Sequence, residues 1–410
     1  MRYLVLTLLS LGTCASAQAA EIALNLRVAP EYHLARENSP LFTPEPFNTF
    51  DSYNSRQELD LRYKSGGLNA LVSARWQVHE HTALERDAVV NELYYDAALG
   101  MDYFTIGKKV MSWGVGFGFR PLDVVQRENR RVPYAATQEG VPLIAWERFN
   151  GNNAFSLVYA NPWRGAATHL RDDEALAARY YRRLTTADVY AVARGSTRNK
   201  FEAGAAFSHI VNDALEWHLE ALYQRRYQQQ INPLATTSPS STPLAVQDPL
   251  TSVQQRHGRK ALAGFTWTHS SSVTLLAEIW YDGAAYSAQQ WQDLAALTRR
   301  QRALLAQAEL PRAAIYGNIA YNMRYFEPPN LLRKNILLRL SYTGTAWSPA
   351  LDVLHTPEDG GTVGTAALRY DGNRQYFEWG VRSFGGKHTA AYRLLPEKLT
   401  LYFVWQRALQ

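Results

Sequence analysis

Apolar and polar side chains alternate along many segments of this chain. In residues 58–64, Leu59, Leu61 and Tyr63 alternate with four charged residues, and residues 215–226 show the same pattern over a longer stretch. A β-strand directs successive side chains to opposite faces, so each such segment predicts a strand with one apolar and one polar face. Alternating segments of about 10 residues are typical of strands that cross a membrane with the apolar face toward lipid.

A soluble β-sandwich is the main alternative to a membrane barrel, because its strands also alternate. Strands in globular proteins are shorter, however, with a most common length of about 5–6 residues. Here the segments are longer, and their apolar faces often end in Trp, Tyr or Phe, such as Trp379 near the chain end. Aromatic residues favour the two membrane interfaces. The sequence therefore predicts an all-β fold, a transmembrane antiparallel β-barrel.

The barrel is expected to contain 18 strands. If 177–184 and 187–194 are not strands, the number becomes 16. The predicted strands are 22–28, 55–64, 68–78, 88–97, 102–111, 141–149, 154–160, 177–184, 187–194, 200–210, 214–226, 259–269, 272–281, 313–326, 331–343, 362–370, 373–384 and 397–406.

The links between these strands fall into two length classes. Outer-membrane barrels have short periplasmic turns and longer outer loops. Short links such as 65–67, 327–330 and 371–373 are expected in the periplasm, with both chain ends. The long outer links are expected at 29–54, 112–140, 161–176, 227–258, 282–312, 344–361 and 385–396.

The first 19 residues resemble a secretory signal peptide. Arg2 precedes a short apolar run, and small residues lead to a cleavage site expected after Ala19. Residues 20–410 are then expected to form a single barrel domain. Cys14, the only cysteine, lies in the leader, so the mature chain is expected to have no disulfide. A net charge of +6 is too small to indicate nucleic-acid binding, and we expect no nucleic-acid partner.

One long link is predicted to contain a helix at 287–310. Ser287 can cap its start, and Pro311 follows its end. Its cluster of Arg299, Arg300 and Arg302 is most simply a solvated face. A helix that lids or enters the pore is the alternative.

The candidate pore constriction follows the strand at 102–111. Gly114, Gly116 and Gly118 alternate with larger residues, which allows the backbone to lie close to a neighbouring surface. A basic segment follows, and guanidinium groups can bind carboxylate or phosphate through two hydrogen bonds. A surface loop with solvated charges is the alternative. The candidate constriction residues are Arg120, Asp123, Arg127, Arg130 and Arg131.

The polar faces of the strands are expected to line a water-filled lumen with charges of both signs. These charges either pair across strands or set charge selectivity, and both alternatives stay open. We expect no catalytic residues, no metal site and no cofactor. The predicted lumen-facing residues are Glu58, Asp60, Arg62, Arg75, Glu92, Glu216, Glu220, Arg374, Glu378 and Arg382.

Two short segments resemble those of known proteins. Residues 106–114 (IGKKVMSWG) with 121–124 (PLDV) are similar to a segment of Gram-negative outer-membrane β-barrels of the porin and alginate-export type. Residues 399–405 (LTLYFVW) resemble the terminal aromatic signal that the barrel-insertion machinery reads, although residues 406–410 follow it here. The resemblance implies an outer-membrane barrel and an exported chain.

Three functions are compatible with such a barrel. The first is an outer-membrane channel that passes polar solutes, with anions favoured by the arginines. The second is an export conduit for an acidic polysaccharide or another polymer, working with periplasmic export partners. The third, and least favoured, is an outer-membrane hydrolase. Expected partners in each case are outer-membrane lipid, lipopolysaccharide and the barrel-insertion machinery.

Overall fold

Eighteen antiparallel strands form one closed sheet in the computed structural model, because each strand pairs with the next and β1 also pairs with β18. The fold class and the strand number are therefore confirmed. The structure describes residues 20–44, 47, 50–80, 83–126, 134, 137–161, 173–238, 240–307 and 309–409.

The first half of the barrel wall contains nine strands, β1 (Glu21–Ala35), β2 (Tyr53–Ser65), β3 (Leu68–His79), β4 (Glu85–Leu99), β5 (Asp102–Lys109), β6 (Val141–Asn150), β7 (Asn153–Ala160), β8 (Ala175–Arg183) and β9 (Ala187–Ser196). The second half contains β10 (Lys200–Asn212), β11 (Leu215–Ile231), β12 (Thr251–Thr268), β13 (Val273–Asp282), β14 (Lys334–Tyr342), β15 (Trp347–Thr356), β16 (Gly361–Asp371), β17 (Gln375–Gly386) and β18 (Glu397–Ala408). Within the described residues, three helices lie between strands: α1 (Ala288–Ala303), α2 (Arg312–Asn322) and α3 (Ala391–Leu394).

Burial along β11 is inverted relative to a soluble protein. Trp217 and Leu219 are 48% and 44% exposed, whereas the intervening His218 and Glu220 are only 4% and 3% exposed. In this part of β11, apolar residues thus face outward and polar residues face the barrel interior. This arrangement is expected when the outer surface meets hydrocarbon and the interior meets water or other polar groups.

An aromatic cluster occupies the outer surface near one end of the barrel. Trp347 lies 4.8 Å from Tyr370 and 6.2 Å from Trp379, measured between ring centroids. Phe403 continues the cluster, with its ring 5.6 Å from that of Trp379. Tyr and Trp rings concentrate at membrane–water interfaces, so the cluster marks one boundary of the apolar band.

Two strand predictions were wrong, and their errors cancel in the strand number. Residues 313–326 form α2 and a short 3-10 turn instead of a strand. Ile315 and Ile319 are fully buried one helical turn apart, so the apolar pattern there has a helical period. β15 was missed because it contains Pro349, and a proline argues against a strand when only the sequence is considered. The β14–β15 ladder ends at the Ser341–Ala350 pair, so β14 requires no N–H from Pro349.

Because of these two errors, two links between strands were also predicted wrongly. Residues 327–330 were expected at the short-link end, but they belong to the long connection between β13 and β14. Residues 344–361 were expected to form a long loop, but most of them form β15. With these corrections, the long loops share one end of the barrel, and the links at the other end each have two to four residues.

The predicted helix at 287–310 is confirmed in its first part as α1, which begins after Ser287 with a capping box involving Gln290 and ends at Ala303, earlier than predicted. Pro311 precedes α2 instead of following α1. Loops at the long-loop end pack together into what we call the cap, comprising 36–44, 283–307, 309–333 and 390–395. Its apolar core includes Trp291 and Ile315, both fully buried. None of the helices in the described ranges is long and apolar enough to cross a membrane.

Candidate pore constriction and lumen

We call the chain between β5 and β6, residues 110–140, the lumen loop, because its described residues enter the barrel interior. Its described residues are 110–126, 134 and 137–140. Trp113 and Leu122 pack against inward-facing apolar residues of β6 to β11. Phe119 extends this contact to Leu262, Trp280 and Leu337 on β12 to β14. The lumen loop therefore covers one half of the inner wall.

Two carboxylates on that covered wall bind the backbone of the lumen loop. Glu220 accepts hydrogen bonds from the N–H groups of Val115, Gly116 (2.6 Å) and Leu122 (3.0 Å). Glu278 accepts from the N–H groups of Phe117 and Gly118, at 2.5 and 2.7 Å. Both carboxylates are almost fully buried. Hydrogen bonds to a charged acceptor are stronger than neutral ones, so these two residues anchor the loop.

Gly116 and Gly118 make this close approach possible. A Cβ at Gly116 would clash with the carbonyl oxygen of Phe119 and approach Leu262 at 2.9 Å. A Cβ at Gly118 would lie 2.7 Å from Leu337. Because backbone N–H groups must come within hydrogen-bond distance of the wall, side chains at these positions would hold the loop away.

Asp123, a predicted constriction residue, is 5% exposed and serves the loop's own fold. Its carboxylate accepts hydrogen bonds from the N–H groups of Trp113 and Gly114 and from the Ser112 hydroxyl, at 2.7–2.8 Å. Arg120 is half-buried and donates to the Gly116 carbonyl at 2.8 Å. The other three predicted constriction residues, Arg127, Arg130 and Arg131, lie outside the described residues.

The opposite half of the inner wall is polar, as the alternation predicted. Glu58 on β2 is 1% exposed and accepts from Arg27 at 2.6 Å and from Arg75 at 2.8 Å. Asp60, two residues along, accepts from the hydroxyls of Ser73 and of Thr137 in the lumen loop. The lumen loop thus reaches across the barrel from the covered wall to this polar wall.

A cavity of about 380 Å³ separates the lumen loop from the polar wall. Two predicted acidic residues face it, but both already accept hydrogen bonds. Asp60 binds Thr137, and Glu92 accepts from the backbone N–H of Val110 at 3.0 Å. Arg62 also lines the cavity, and within the described ranges it has no ion-pair partner. The remaining lining residues are Asn25, Arg27, Leu71, Gln138 and Gln406.

Four other predicted lumen residues do not line this cavity. Arg382 faces inward and donates to Thr365 at 3.1 Å. Glu378, also inward, accepts from a tyrosine hydroxyl, and Glu216 accepts from a serine hydroxyl near the short-link end. Arg374 lies outside the strands, exposed in the turn before β17. That turn position takes Arg374 away from the lumen wall.

Sequence reasoning missed Arg27, Thr137 and Gln138. Arg27 could have been found, because it lies two residues after Asn25 on the polar face of β1. Thr137 and Gln138 carry no such signal, since their position depends on the path of the lumen loop. Among the described residues, no group of three or more His, Cys, Asp or Glu side chains could hold a metal ion.

The sequence matches no protein-family model and no curated protein. Solved structures are similar over almost the whole chain. OccK8 (OprE) of Pseudomonas aeruginosa is 12% identical, with 95% of this chain and 98% of that chain covered and a TM-score of 0.53. OccK2 (OpdF) of the same organism, solved in complex with glucuronate, has the same identity, coverage and TM-score.

OpdK of P. aeruginosa, solved with vanillate, is 10% identical, covers 95% of this chain and 98% of its own, and has a TM-score of 0.54. At such low identity the likeness concerns the fold. The chain has the barrel fold of the Gram-negative outer-membrane porins of the OccK and Opd type.

Proposed function

We propose that this protein is an outer-membrane channel for small polar solutes, with a preference for anions. The observation that carries the proposal is the cavity between the lumen loop and the polar wall. Its volume of about 380 Å³ lies within the range of about 300–1,000 Å³ typical of small-molecule sites. Similar barrels have been solved with vanillate and with glucuronate, which supports a small carboxylate as the class of solute.

The charge arrangement around the cavity supports anion preference. The carboxylates of Asp60 and Glu92 already accept hydrogen bonds from the lumen loop, whereas Arg62 has no ion-pair partner in the described part of the chain. A passing anion therefore meets at least one guanidinium group that can offer two donors. Because the cavity lies between the lumen loop and the inner wall of the barrel, bulk salt screens this attraction less than it would on an open surface.

The alternative of polymer export receives no support from the similar structures. The lumen loop spans the interior from the covered wall to Thr137 beside Asp60, and the cap packs over the long-loop end. A lumen narrowed in this way suits small solutes better than a polymer. The similar structures are also channels rather than enzymes, which favours transport over hydrolysis. Lipid, lipopolysaccharide and the barrel-insertion machinery remain the partners we propose for such a barrel.

Reconstitution into liposomes tests this function. We expect swelling rates with glucuronate to exceed those with glucose, a neutral sugar of similar size. Liposomes that carry the Arg62→Gln variant should show a smaller difference between the two solutes. Absence of swelling with either solute, from protein that shows heat-modifiable gel mobility, would reject the channel function.

A further inference from the structure

A second cavity, of about 350 Å³, lies at the long-loop end of the barrel and is lined by basic side chains. Three separate segments provide them. Arg36 follows β1, Arg299 and Arg302 lie near the end of α1, and His388 and Arg393 precede β18. This cavity shares no lining residue with the lumen cavity.

Arg36 is built into the wall of this cavity. Its side chain is 5% exposed and donates to the backbone carbonyls of Tyr392 (2.9 Å), Leu395 (3.1 Å) and Phe384 (2.5 Å). Its Nε has no hydrogen-bond partner within the described residues. Burying a cation without a counter-charge is unfavourable, and a polar group left unpaired adds to that cost.

The basic side chains around the cavity lack acidic partners. In the described part of the chain, none of the five forms an ion pair with a carboxylate. Burial lowers the pKa of Arg36 and the charge of Arg393 lowers it further, whereas Glu397 raises it. The Glu397 carboxylate is itself engaged by His33 at 2.9 Å and by Thr400. The positive charge in the cavity is therefore left for an external anion.

Arg302 shows how the cavity joins different parts of the cap. It donates to the carbonyls of Phe42 at 2.5 Å and Pro40 at 3.3 Å, which fixes α1 against the segment that follows β1. The arginine cluster of α1 is therefore not simply a solvated face. Arg299 is exposed beside the cavity, and Arg300 instead donates to the carbonyls of Ser238 and Leu234.

We propose that this cavity binds an oxyanion, a phosphate or carboxylate group, between α1, the segment after β1 and the segment before β18. Guanidinium groups recognise both groups through paired hydrogen bonds, and several cations from different segments can surround one anion. The bound anion bridges three parts of the cap and stabilises its packing on the barrel. The site shares no lining residue with the lumen cavity, so the proposal does not depend on the proposed channel function. Its anion comes either from a free solute or from the phosphates of lipopolysaccharide.

Calorimetric titration of the full chain in detergent, with inorganic phosphate as the probe, tests the site. The informative variant is Arg299→Gln with Arg393→Gln, because neither guanidinium forms a hydrogen bond within the described ranges. The control is Arg300→Gln, which removes one positive charge next to Arg299 from a residue that does not line the cavity. We expect phosphate affinity to fall at least tenfold in the double variant and to stay within twofold in the control.

A competition arm distinguishes the two sources of the anion. Displacement of phosphate by lipopolysaccharide, but not by its dephosphorylated form, assigns the site to lipid headgroups. If neither lipopolysaccharide nor its dephosphorylated form displaces phosphate, the site is assigned to free solutes. If the double variant loses heat-modifiable mobility, Arg299→Gln alone replaces it. No phosphate binding by the unmodified protein, or an equal loss in Arg300→Gln, overturns the proposal.

Discussion

Glu220 on β11 accepts a hydrogen bond from the backbone N–H of Gly116 at 2.6 Å, although 104 positions separate the two residues in the chain. With Glu278, it attaches the glycine-containing part of the lumen loop to the barrel wall. The interior of the channel is therefore shaped by carboxylates that face backbone N–H groups, and the position of the lumen loop depends on them.

Replacing Glu220 and Glu278 by alanine should release this part of the lumen loop. Each hydrogen bond to a charged group contributes about 1.5–3 kcal/mol, and the freed N–H groups would lose their partners. We expect larger open-channel current noise and more frequent transitions in planar bilayers. Glu216→Ala is the control, because Glu216 accepts from Ser208 rather than from the lumen loop. Noise equal to that of the unmodified protein would show that the loop is held by other contacts.

Gly116→Ala should displace the loop through crowding alone. The added methyl group meets the Phe119 carbonyl and Leu262, and overpacking of this kind typically costs about 1–3 kcal/mol. Hydrogen exchange of peptides that cover 112–122 should be faster in this variant. Gly195→Ala is a suitable comparison, since its nearest neighbouring atom would lie 3.8 Å away. Similar exchange in both variants would contradict the tight contact at Gly116.

The outer surface can be tested within one strand, β14. Leu338 faces outward and is 48% exposed, so Leu338→Arg should cost about 2–4 kcal/mol if the residue lies near the middle of the bilayer. Ser341→Arg, on the inward face, should cost much less. The measurement is urea-induced unfolding of the barrel in lipid vesicles. Equal destabilisation would contradict the assignment of the two faces.

Orientation in the membrane can be tested by cysteine labelling on intact cells. Cysteines at Ser240 and Ala296, exposed positions at the long-loop end, should react with an impermeant thiol reagent. A cysteine at Gly372, in a short turn, should not react. Ala296 is preferable to Ala295, which is buried in the cap. Labelling at Gly372 but not at Ser240 would invert the proposed orientation.

Much of the barrel could be predicted because the lipid and the lumen impose a two-residue period. β11 shows this clearly, since its exposed Trp217 and buried Glu220 follow the alternation alone. The prediction failed where that period competes with other signals. Aromatic residues made α2 resemble a strand, although Ile315 and Ile319 pack with helical spacing. β15 was missed because it contains Pro349. The proline does not disturb pairing with β14, since the β14–β15 ladder ends at Ala350, but this register cannot be read from the sequence.

The interior was only partly predictable. The glycines at 114, 116 and 118 indicated close contact with a surface, but not which surface. The alternation of apolar and polar residues along β11 placed Glu220 in the lumen. Its role as an anchor of the lumen loop, however, depends on contacts between segments that are distant in the sequence. For the same reason Asp123, which was expected to face a solute, is turned toward the backbone of its own loop.

The most direct test of anion preference is the reversal potential of the reconstituted channel in a KCl gradient. We predict anion selectivity for the unmodified protein, reduced selectivity for Arg62→Gln and a further reduction for Arg62→Glu, because this guanidinium faces the lumen cavity. Arg148→Gln is the control, since Arg148 lies on the outward face of β6 and its side chain is 51% exposed. Cation selectivity of the unmodified channel, or identical reversal potentials for both Arg62 variants and the control, would contradict the account.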